Sequence, residues 1–305
     1  MLEEIFKILP SEILNEIKTV GGTNSINEIR LRAGKNVILI LSNTEIRLKS
    51  IATLKDMLDI LVKVSQNSIY AIQNEINNGY VVVKGGHRIG ICGEVVLEGT
   101  KIKNIKNINS MNIRIARQLI GCADKIMPYI IKEGEFMNTL IISPPGCGKT
   151  TILRDVIRQI SNGIDSLKIK GQNVGVVDER GEIAAVSQGI PNLDVGLRTD
   201  IISNVSKPIG MEMLVRSMGI NVIATDEIGS DDDIEAIKYA NASGVKLIFT
   251  MHGKDLDDVL KREKLRNVID EKIFRNVIVL ANEKGPGKIR NIYDLEEKRK
   301  IQNVI

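Results

Sequence analysis

The stretch 143–151 carries the residue types and spacing needed to bind a phosphate group, and it reads Ser-Pro-Pro-Gly-Cys-Gly-Lys-Thr-Thr. Gly146 and Gly148 allow a tight backbone turn that presents N–H groups to an anion. In such a loop Lys149 reaches the terminal phosphates of a nucleotide and Thr150 ligates magnesium. The stretch therefore predicts a phosphate-binding loop.

The flanking sequence supports this interpretation. An apolar run over 139–142 predicts a buried strand before the loop, and residues 152–157 have helical spacing after it. Ser143 occupies the position of the first glycine in the pattern G-x-x-x-x-G-K-[ST], which affects only the entry of the loop. The residues expected to contact the phosphates are Pro145, Gly146, Cys147, Gly148, Lys149, Thr150 and Thr151.

Two adjacent carboxylates, Asp226 and Glu227, follow the apolar run 221–225. Ligands of open α/β sheets bind at the carboxyl ends of the strands, so this pair could meet the phosphate loop. We expect Asp226 to belong to the magnesium shell and Glu227 to polarise the attacking water. The alternative is a solvated loop after an ordinary strand. The acidic run 231–233 that follows is better explained as a helix start.

A second charged strand end comprises Asp178, Glu179, Arg180 and Glu182 after the apolar run 174–177. Its carboxylates are candidates to order water or magnesium, and its arginine is a candidate to contact phosphate or a neighbouring subunit. A strand leading into an ordinary surface turn could end in the same way, so this spacing alone leaves both interpretations open.

A third strand, 246–249, leads to His252, one of two histidines in the chain. A histidine at this place could hydrogen-bond to the γ-phosphate, or it could simply lie in a surface turn. His87 lies in a glycine-rich hairpin, and we assign it no function.

Composition limits the other classes of function. The chain has 305 residues, enough for two domains of ordinary size. It has no Trp and only 3% aromatic residues, so few side chains could stack on single-stranded nucleic acid. The net charge of +4 is a mild excess that is compatible with an acidic membrane surface or partner but requires neither. We expect no nucleic-acid partner.

Compartment and redox state follow from similar observations. Cys92, Cys122 and Cys147 are widely spaced without a CxxC pair, which favours free thiols and argues against a cysteine metal site. The sequence shows no signal-peptide pattern and no apolar run of membrane-spanning length. We therefore expect a soluble, cytoplasmic protein.

Hydrophobic periodicity predicts an α/β protein with two domains that meet at the polar break 132–135. Over residues 1–134 we expect two short helices within 2–20, helices over 54–64 and near 69–79, a helix over 120–131, and several strands. These strands are expected at 26–32, 37–41, 80–83, 88–97 and 113–117.

Residues 135–305 show apolar strands alternating with helices, which is typical of a mainly parallel sheet. The expected strands are 139–142, 174–177, 222–225, 246–249 and 276–280. The expected helices are 150–160, 208–218, 231–242 and 255–270. The charged tail 289–305, with its basic run 298–300, most resembles a solvated helix face, and contact with a partner is the alternative.

Four segments, in this order along the chain, resemble the secretion and pilus ATPases of the type II and type IV systems. They are the phosphate loop 143–150, the acidic box near 178–182, the magnesium-binding strand 222–227 and the histidine box 250–253. Segments 112–117, 143–151 and 177–184 are more closely similar to a sporulation member of that group. The resemblance covers nearly the full length and is strongest over 139–253.

This resemblance implies a RecA-like P-loop ATPase domain after a smaller α/β N-terminal domain, with ATP and Mg²⁺ as cofactors. It implies a homo-oligomeric ring, expected to be a hexamer, that works with membrane proteins of a sporulation complex at the cytoplasmic side.

The resemblance also assigns roles to residues of this sequence. Arg114 and Arg117 are implied to reach the nucleotide, with Arg216 a weaker candidate. Glu227 is implied to be the catalytic glutamate, and His252 to serve the histidine box. Because the register of the acidic box is open, the candidates for its role are Glu179 and Glu182. Relatives commonly have Gly-Glu where this chain has Asp226 and Glu227, which adds a possible magnesium ligand.

Three hypotheses follow. The first is an ATP-hydrolysing motor for transport or assembly at a membrane. The second keeps the fold but makes the protein a nucleic-acid motor, against which the low aromatic content and mild charge argue. The third is an ATP-binding assembly switch without turnover, against which Glu227 argues.

Overall fold

The computed structural model describes residues 2–41, 44–66, 68–116, 118–187, 189–281, 287–297 and 299–303. The chain forms two compact units. The first unit comprises Met1–Arg117 together with Ala185–Asn192, and the second comprises Gln118–Ala184 together with Leu193–Ile305. Within the described ranges, no helix has both the length and the apolar character needed to cross a membrane.

The first unit is a six-stranded antiparallel sheet with helices packed on it. Its helices are α1 (Glu3–Ile8), α2 (Ser11–Thr19), α3 (Leu54–Val64) and α4 (Gln73–Asn77). Its strands are β1 (Ile26–Arg32), β2 (Asn36–Leu41), β3 (Glu45–Ile51), β4 (Tyr80–Val83), β5 (His87–Glu98) and β6 (Lys101–Arg114). The strand order is β3-β2-β1-β6-β5-β4.

Alternation of side chains along the central strands builds the core of the first unit. Ile29 and Leu31 of β1 are fully buried, as is Ile113 of β6, which pairs with Ile29. Because successive strand residues point to opposite faces, these apolar residues all lie on the face that packs against the helices. The start of α3 is set by a reciprocal capping box between Thr53 and Asp56.

The second unit contains helices α5 (Met127–Ile130), α6 (Lys149–Asn162), α7 (Lys207–Ser217), α8 (Asp231–Ala242), α9 (Leu256–Leu260) and α10 (Glu263–Asp270). Its main strands are β7 (Thr139–Ser143), β8 (Val174–Asp178), β9 (Thr199–Ser203), β10 (Val222–Thr225), β11 (Lys246–His252), β12 (Asn276–Ala281), β13 (Lys288–Asp294) and β14 (Arg299–Asn303). They form an eight-stranded sheet in the order β9-β8-β10-β11-β7-β12-β13-β14.

The sheet of the second unit is mostly parallel. The pairs from β9 to β12 are parallel, and only β12–β13 and β13–β14 are antiparallel. Both faces of the central strands are covered, and every residue of β7, β8 and β10 is buried. Parallel strands buried on both faces consist of continuous apolar residues. These strands could therefore be predicted from the sequence although apolar and polar residues do not alternate along them.

Pairs of two-residue strands also occur among the described residues. They are Ile131–Lys132 with Glu135–Phe136, Gly163–Ile164 with Ile169–Lys170, and Val186–Ser187 with Ile190–Pro191.

The five strands expected over 139–280 and the helices expected at 150–160, 208–218 and 231–242 are confirmed, and three other expectations need correction. The helix expected over 120–131 is limited to α5, because the preceding residues form turns in which the Ala123 N–H donates to Asp155 Oδ2 at 2.9 Å. The helix expected over 255–270 is broken into α9 and α10. The expected tail helix was wrong, because residues 288–294 and 299–303 pair as strands. Lys298 of the basic run lies outside the described residues.

The two compact units divide after Arg117, earlier along the chain than the domain boundary expected near 134. Residues 118–134 belong to the second unit, where Gln159 Nε2 donates to Asp124 Oδ1 at 2.8 Å. The domain boundary near 134 stays a prediction.

Replacing a core aromatic residue tests the packing of the second unit. Phe249 of β11 is fully buried and meets the ring of Phe274 edge-on, with 6.1 Å between centroids. We expect Phe249→Ala to lower the free energy of unfolding by about 3–5 kcal/mol, since it removes buried surface and leaves a cavity. Leu197→Ala is the control, because that side chain is 88% exposed. In urea unfolding, a loss below about 1 kcal/mol for Phe249→Ala would contradict this packing.

Candidate active site

The phosphate loop joins β7 to α6 and has the backbone conformation that its glycines predict. Gly146 and Gly148 have φ of 73° and 83°, values that favour glycine because it has no Cβ. Gly148 is the N-cap of α6, and Lys149 is the first helical residue. The unpaired N–H groups and positive dipole of a helix start attract anions, so the loop is suited to a phosphate.

Ser143, the departure from the glycine pattern, is the last residue of β7 rather than a residue of the turn. It is fully buried and does not have a positive φ, so the position does not need glycine. Its Oγ donates to the Pro144 carbonyl at 2.9 Å, and its own carbonyl accepts from Gly253 N–H at 3.2 Å. The serine therefore ends the strand without disturbing the loop.

Lys149 is buried and meets both the predicted catalytic glutamate and the predicted histidine. Its Nζ lies 3.6 Å from Glu227 Oε1 and 3.3 Å from His252 Nδ1. His252 Nε2 is in turn 2.8 Å from Glu227 Oε1. The structure thus brings the loop, the strand-end glutamate and the histidine into direct contact, as the sequence predicted for residues at the ends of parallel strands.

Asp226 connects the phosphate loop to β11. One of its carboxylate oxygens, Oδ2, accepts a hydrogen bond from the Thr150 hydroxyl, and the other, Oδ1, accepts one from the Thr250 hydroxyl. The two predicted magnesium ligands, Thr150 and Asp226, are therefore adjacent. Thr250 was not predicted as a site residue.

Glu227 is held among three basic groups. In addition to Lys149 and His252, Arg180 donates from Nη1 to Glu227 Oε2 at 2.7 Å. Partial burial raises the pKa of Glu227, but Lys149, His252 and Arg180 outweigh it and hold the pKa below the ordinary value. Glu227 is therefore a carboxylate at neutral pH, which makes it a hydrogen-bond acceptor.

The acidic box forms a tight turn around the buried Asp178. Its carboxylate accepts backbone N–H groups of Glu182, Ile183 and Ala184 at 2.8, 3.1 and 2.9 Å. Burial raises the pKa of Asp178, and these hydrogen bonds and Arg154 only partly offset the effect. Asp178 therefore shapes the turn and is committed to backbone groups.

Arg154 of α6 supports the same turn from the side of the phosphate loop. It is buried and donates to the carbonyls of Ile183 and Glu182 at 2.5 and 2.6 Å. Burial lowers its pKa, against the opposing charges of Asp178 and Asp226. The helix that carries Lys149 and Thr150 is thereby connected to the acidic turn.

Glu179 and Glu182, the competing candidates of the acidic box, line one cleft together with Asp226 and Glu227. Glu179 Oε2 accepts from Lys207 Nζ, at the start of α7, at 2.7 Å. Because both glutamates line this cleft, the choice between them stays open.

The three other candidate arginines have partners of their own or lie outside the described residues. Arg114 ends β6 in the first unit, where its Nε is 3.7 Å from Glu28 Oε1. Arg216 is exposed near the end of α7 and pairs with Glu212 at 2.7 Å. Arg117 lies outside the described residues. The roles implied for them stay predictions.

Sequence reasoning assigned no role to Thr250, Arg154 or Lys207, although Thr250 begins the histidine box. Their signals were weak, because a threonine in an apolar strand and basic residues on helices are common in any α/β protein. One signal was available for Thr250: it stands two residues before His252, so alternation along a strand places both on one face.

The donor set fits magnesium bound to a nucleotide. Among the described residues, no cluster of three His, Cys, Asp or Glu could hold a metal by itself. Mg²⁺ in nucleotide sites takes one or two protein ligands and completes its shell with phosphate oxygens and water. Thr150 and Asp226 supply that number of oxygen donors beside the loop.

Comparison with known families gives a consistent result. A sequence profile for the family "Sporulation stage III, protein AA" matches residues 2–300. The chain is 38% identical over 296 residues to stage III sporulation protein AA of Bacillus subtilis (strain 168), covering 96% of this chain and 95% of that protein.

Solved structures share the fold. The ATPase DotB of Legionella pneumophila matches with a TM-score of 0.57 at 14% identity, covering 89% of this chain and 76% of DotB. The pilus retraction motor PilT, solved with bound ADP, matches with a TM-score of 0.55 at 16% identity, covering 88% of this chain and 76% of PilT. These matches confirm the predicted RecA-like α/β fold. By its full-length sequence match, the chain belongs to the stage III sporulation protein AA family.

Proposed function

We propose that the protein is a Mg²⁺-dependent ATPase that powers assembly of, or transport through, a membrane complex in sporulation. The observation that carries this proposal is the contact between the phosphate-loop Lys149 and Glu227, at the end of a parallel strand. A loop that only binds nucleotide does not need an ionised glutamate at this place. The likeness to DotB and PilT supports the fold in which such a site occurs.

Each side chain has a role that follows from its position. Lys149, at the start of α6, would bind the β- and γ-phosphates, with the backbone of 145–151 around them. Thr150 and Asp226 would hold magnesium, which neutralises the charge that develops on the phosphate oxygens. His252, beside Lys149, would hydrogen-bond to the γ-phosphate.

Glu227 would orient and polarise the attacking water. Its lowered pKa keeps it ionised, and its contacts with Arg180 and His252 fix the direction of the carboxylate. Positioning of this kind supplies much of the catalysis in phosphoryl transfer, because the protein forms no covalent bond. Glu179 or Glu182, which line the same cleft, would bind the same water or the magnesium shell.

The proposal extends to assembly. The protein would act as a homo-hexameric ring with Arg114 and Arg117 contacting nucleotide, together with membrane proteins of the sporulation complex at the cytoplasmic face. The family assignment supports the sporulation context.

Two substitutions test the chemistry. Lys149→Ala should abolish ATP binding and hydrolysis, because it removes the buried cation that meets the phosphates. Glu227→Gln should keep ATP binding but lower kcat by at least about 100-fold, since an amide cannot accept a proton from water. The measurements are phosphate release and binding of a fluorescent ATP analogue.

Glu235→Gln and Lys261→Ala, at exposed residues that do not line the cleft, are the matched controls and should keep wild-type rates. Hydrolysis by the Glu227→Gln protein at the wild-type rate would contradict the catalytic assignment. Tight ATP binding by wild-type protein without turnover, even with membrane partners supplied, would instead indicate an assembly switch.

The contact between Arg180 and Glu227 predicts how the rate of hydrolysis depends on pH. Glu227 must be ionised to act on water, and a lowered pKa extends activity to lower pH. Arg180→Ala removes one of the charges that lower this pKa, so the rate should begin to fall at a higher pH than in the wild type. Arg262→Ala, which removes an arginine paired with Asp258, is the control. An unchanged acid limb in the kcat profile would show that Arg180 does not act on Glu227.

Mass measurement tests the ring. With Mg²⁺ and ATP, the Glu227→Gln protein should reach six times the mass of one chain, because ATP that is not hydrolysed would stay between subunits. A monomer at all protein and nucleotide concentrations would contradict the proposed ring.

A further inference from the structure

We infer that Thr250 is the positioning residue that sets the orientation of both strand-end carboxylates, Asp226 and Glu227, toward magnesium and water. This inference rests on the proposed ATPase site and assigns a role to a residue outside the phosphate loop. Thr250 is fully buried in β11, next to the strand that carries the two carboxylates.

The hydroxyl of Thr250 makes two hydrogen bonds of opposite sense. It donates to Asp226 Oδ1, and it accepts the backbone N–H of Glu227 at 3.0 Å. The carbonyl of Thr250 also accepts the N–H of Ile228 at 2.9 Å. One residue thus fixes three consecutive residues of the neighbouring segment, and an aliphatic side chain could neither donate nor accept at this point.

The backbone of Glu227 shows why this support is needed. Its φ is 55°, in the left-handed region that is uncommon for residues other than glycine. Such conformations persist at functional sites when surrounding contacts enforce them. The hydrogen bonds of Thr250 to the N–H groups of Glu227 and Ile228 enforce this turn, and the turn directs the glutamate toward Lys149 and His252.

The orientation of Asp226 depends on the same hydroxyl. Because Thr250 binds Oδ1, the other oxygen, Oδ2, is left on the side of Thr150. Oδ2 is therefore the oxygen available to the magnesium shell. Without the Thr250 hydroxyl the carboxylate could rotate, and Glu227 N–H would lose its acceptor in a partly buried site.

Replacing Thr250 by valine or by serine separates the role of its hydroxyl from the role of its packing. Thr250→Val keeps the shape of the side chain and removes the hydroxyl. We expect it to lower kcat by about 10- to 100-fold, as for displaced catalytic groups, with the KM for ATP changed by less than about 3-fold. The Mg²⁺ concentration for half-maximal activity should rise. Thr250→Ser keeps the hydroxyl, so its kcat and its half-maximal Mg²⁺ concentration should both be near the wild-type values.

Thr139→Val is the matched control. Thr139 is also fully buried in this sheet, but it lies at the opposite end of β7, where its hydroxyl donates to the Met137 carbonyl at 2.6 Å. The Thr139→Val protein should keep the wild-type kcat and Mg²⁺ dependence. Thermal unfolding of all variants verifies that they fold, and Thr250→Ala must reproduce the loss of kcat if the valine variant does not fold.

Binding of a fluorescent ATP analogue with and without Mg²⁺ adds a readout that does not need turnover. Thr250→Val should need more Mg²⁺ than the wild type to reach the full increase in affinity that Mg²⁺ gives, and Thr250→Ser should need the wild-type amount. If wild-type protein does not hydrolyse ATP but the binding pattern holds, the proposed function fails while this inference stands. The inference is overturned if Thr250→Val keeps wild-type kcat and Mg²⁺ dependence, or if Thr250→Ser is as impaired as Thr250→Val.

Discussion

The parallel register of the central strands is the constraint on which the site depends. His252 is opposite Ser143, and Thr225 is opposite both Phe249 and Val177. Parallel strands in register must end at the same edge of the sheet, so the polar residues that follow them come together although they are far apart in sequence. A shift of one residue in any of these pairings would turn site residues toward the opposite face.

The second requirement of the site is that its buried charges are balanced. Lys149 is buried, and a buried cation without a partner is costly. Glu227 meets this need, and its own partial burial is offset in turn by Lys149, His252 and Arg180. The result is a cluster in which Glu227 is the shared counter-charge of Lys149 and Arg180. Arg154 and the buried Asp178 hold the acidic turn in place through hydrogen bonds to its backbone.

Much of this arrangement could be predicted from the sequence, for identifiable reasons. The phosphate loop has a strong pattern of glycines, lysine and threonine, and buried parallel strands read as apolar runs that end in charge, as at Asp226. The strands Glu45–Ile51 and Thr199–Ser203 were missed, because polar residues interrupt their apolar pattern and edge strands are buried on fewer sides. The tail was expected to be helical because of its charge pattern, which contains no information on pairing with a distant strand.

The roles of Thr250 and Arg154 could not be predicted, because they depend on hydrogen bonds between segments far apart in sequence. Composition and periodicity do not indicate which neighbour a hydroxyl or a guanidinium will meet.

The most direct test of the proposed site is a crystal structure of the protein with Mn²⁺ in place of Mg²⁺ and a non-hydrolysable ATP analogue. We predict an anomalous metal peak within about 2.3 Å of Thr150 Oγ1, with Asp226 in its shell. We also predict Lys149 on the γ-phosphate and Glu227 within hydrogen-bonding reach of a water in line with it. Phosphates bound away from residues 143–151, or a metal without Thr150 and Asp226, would contradict the proposed ATPase site.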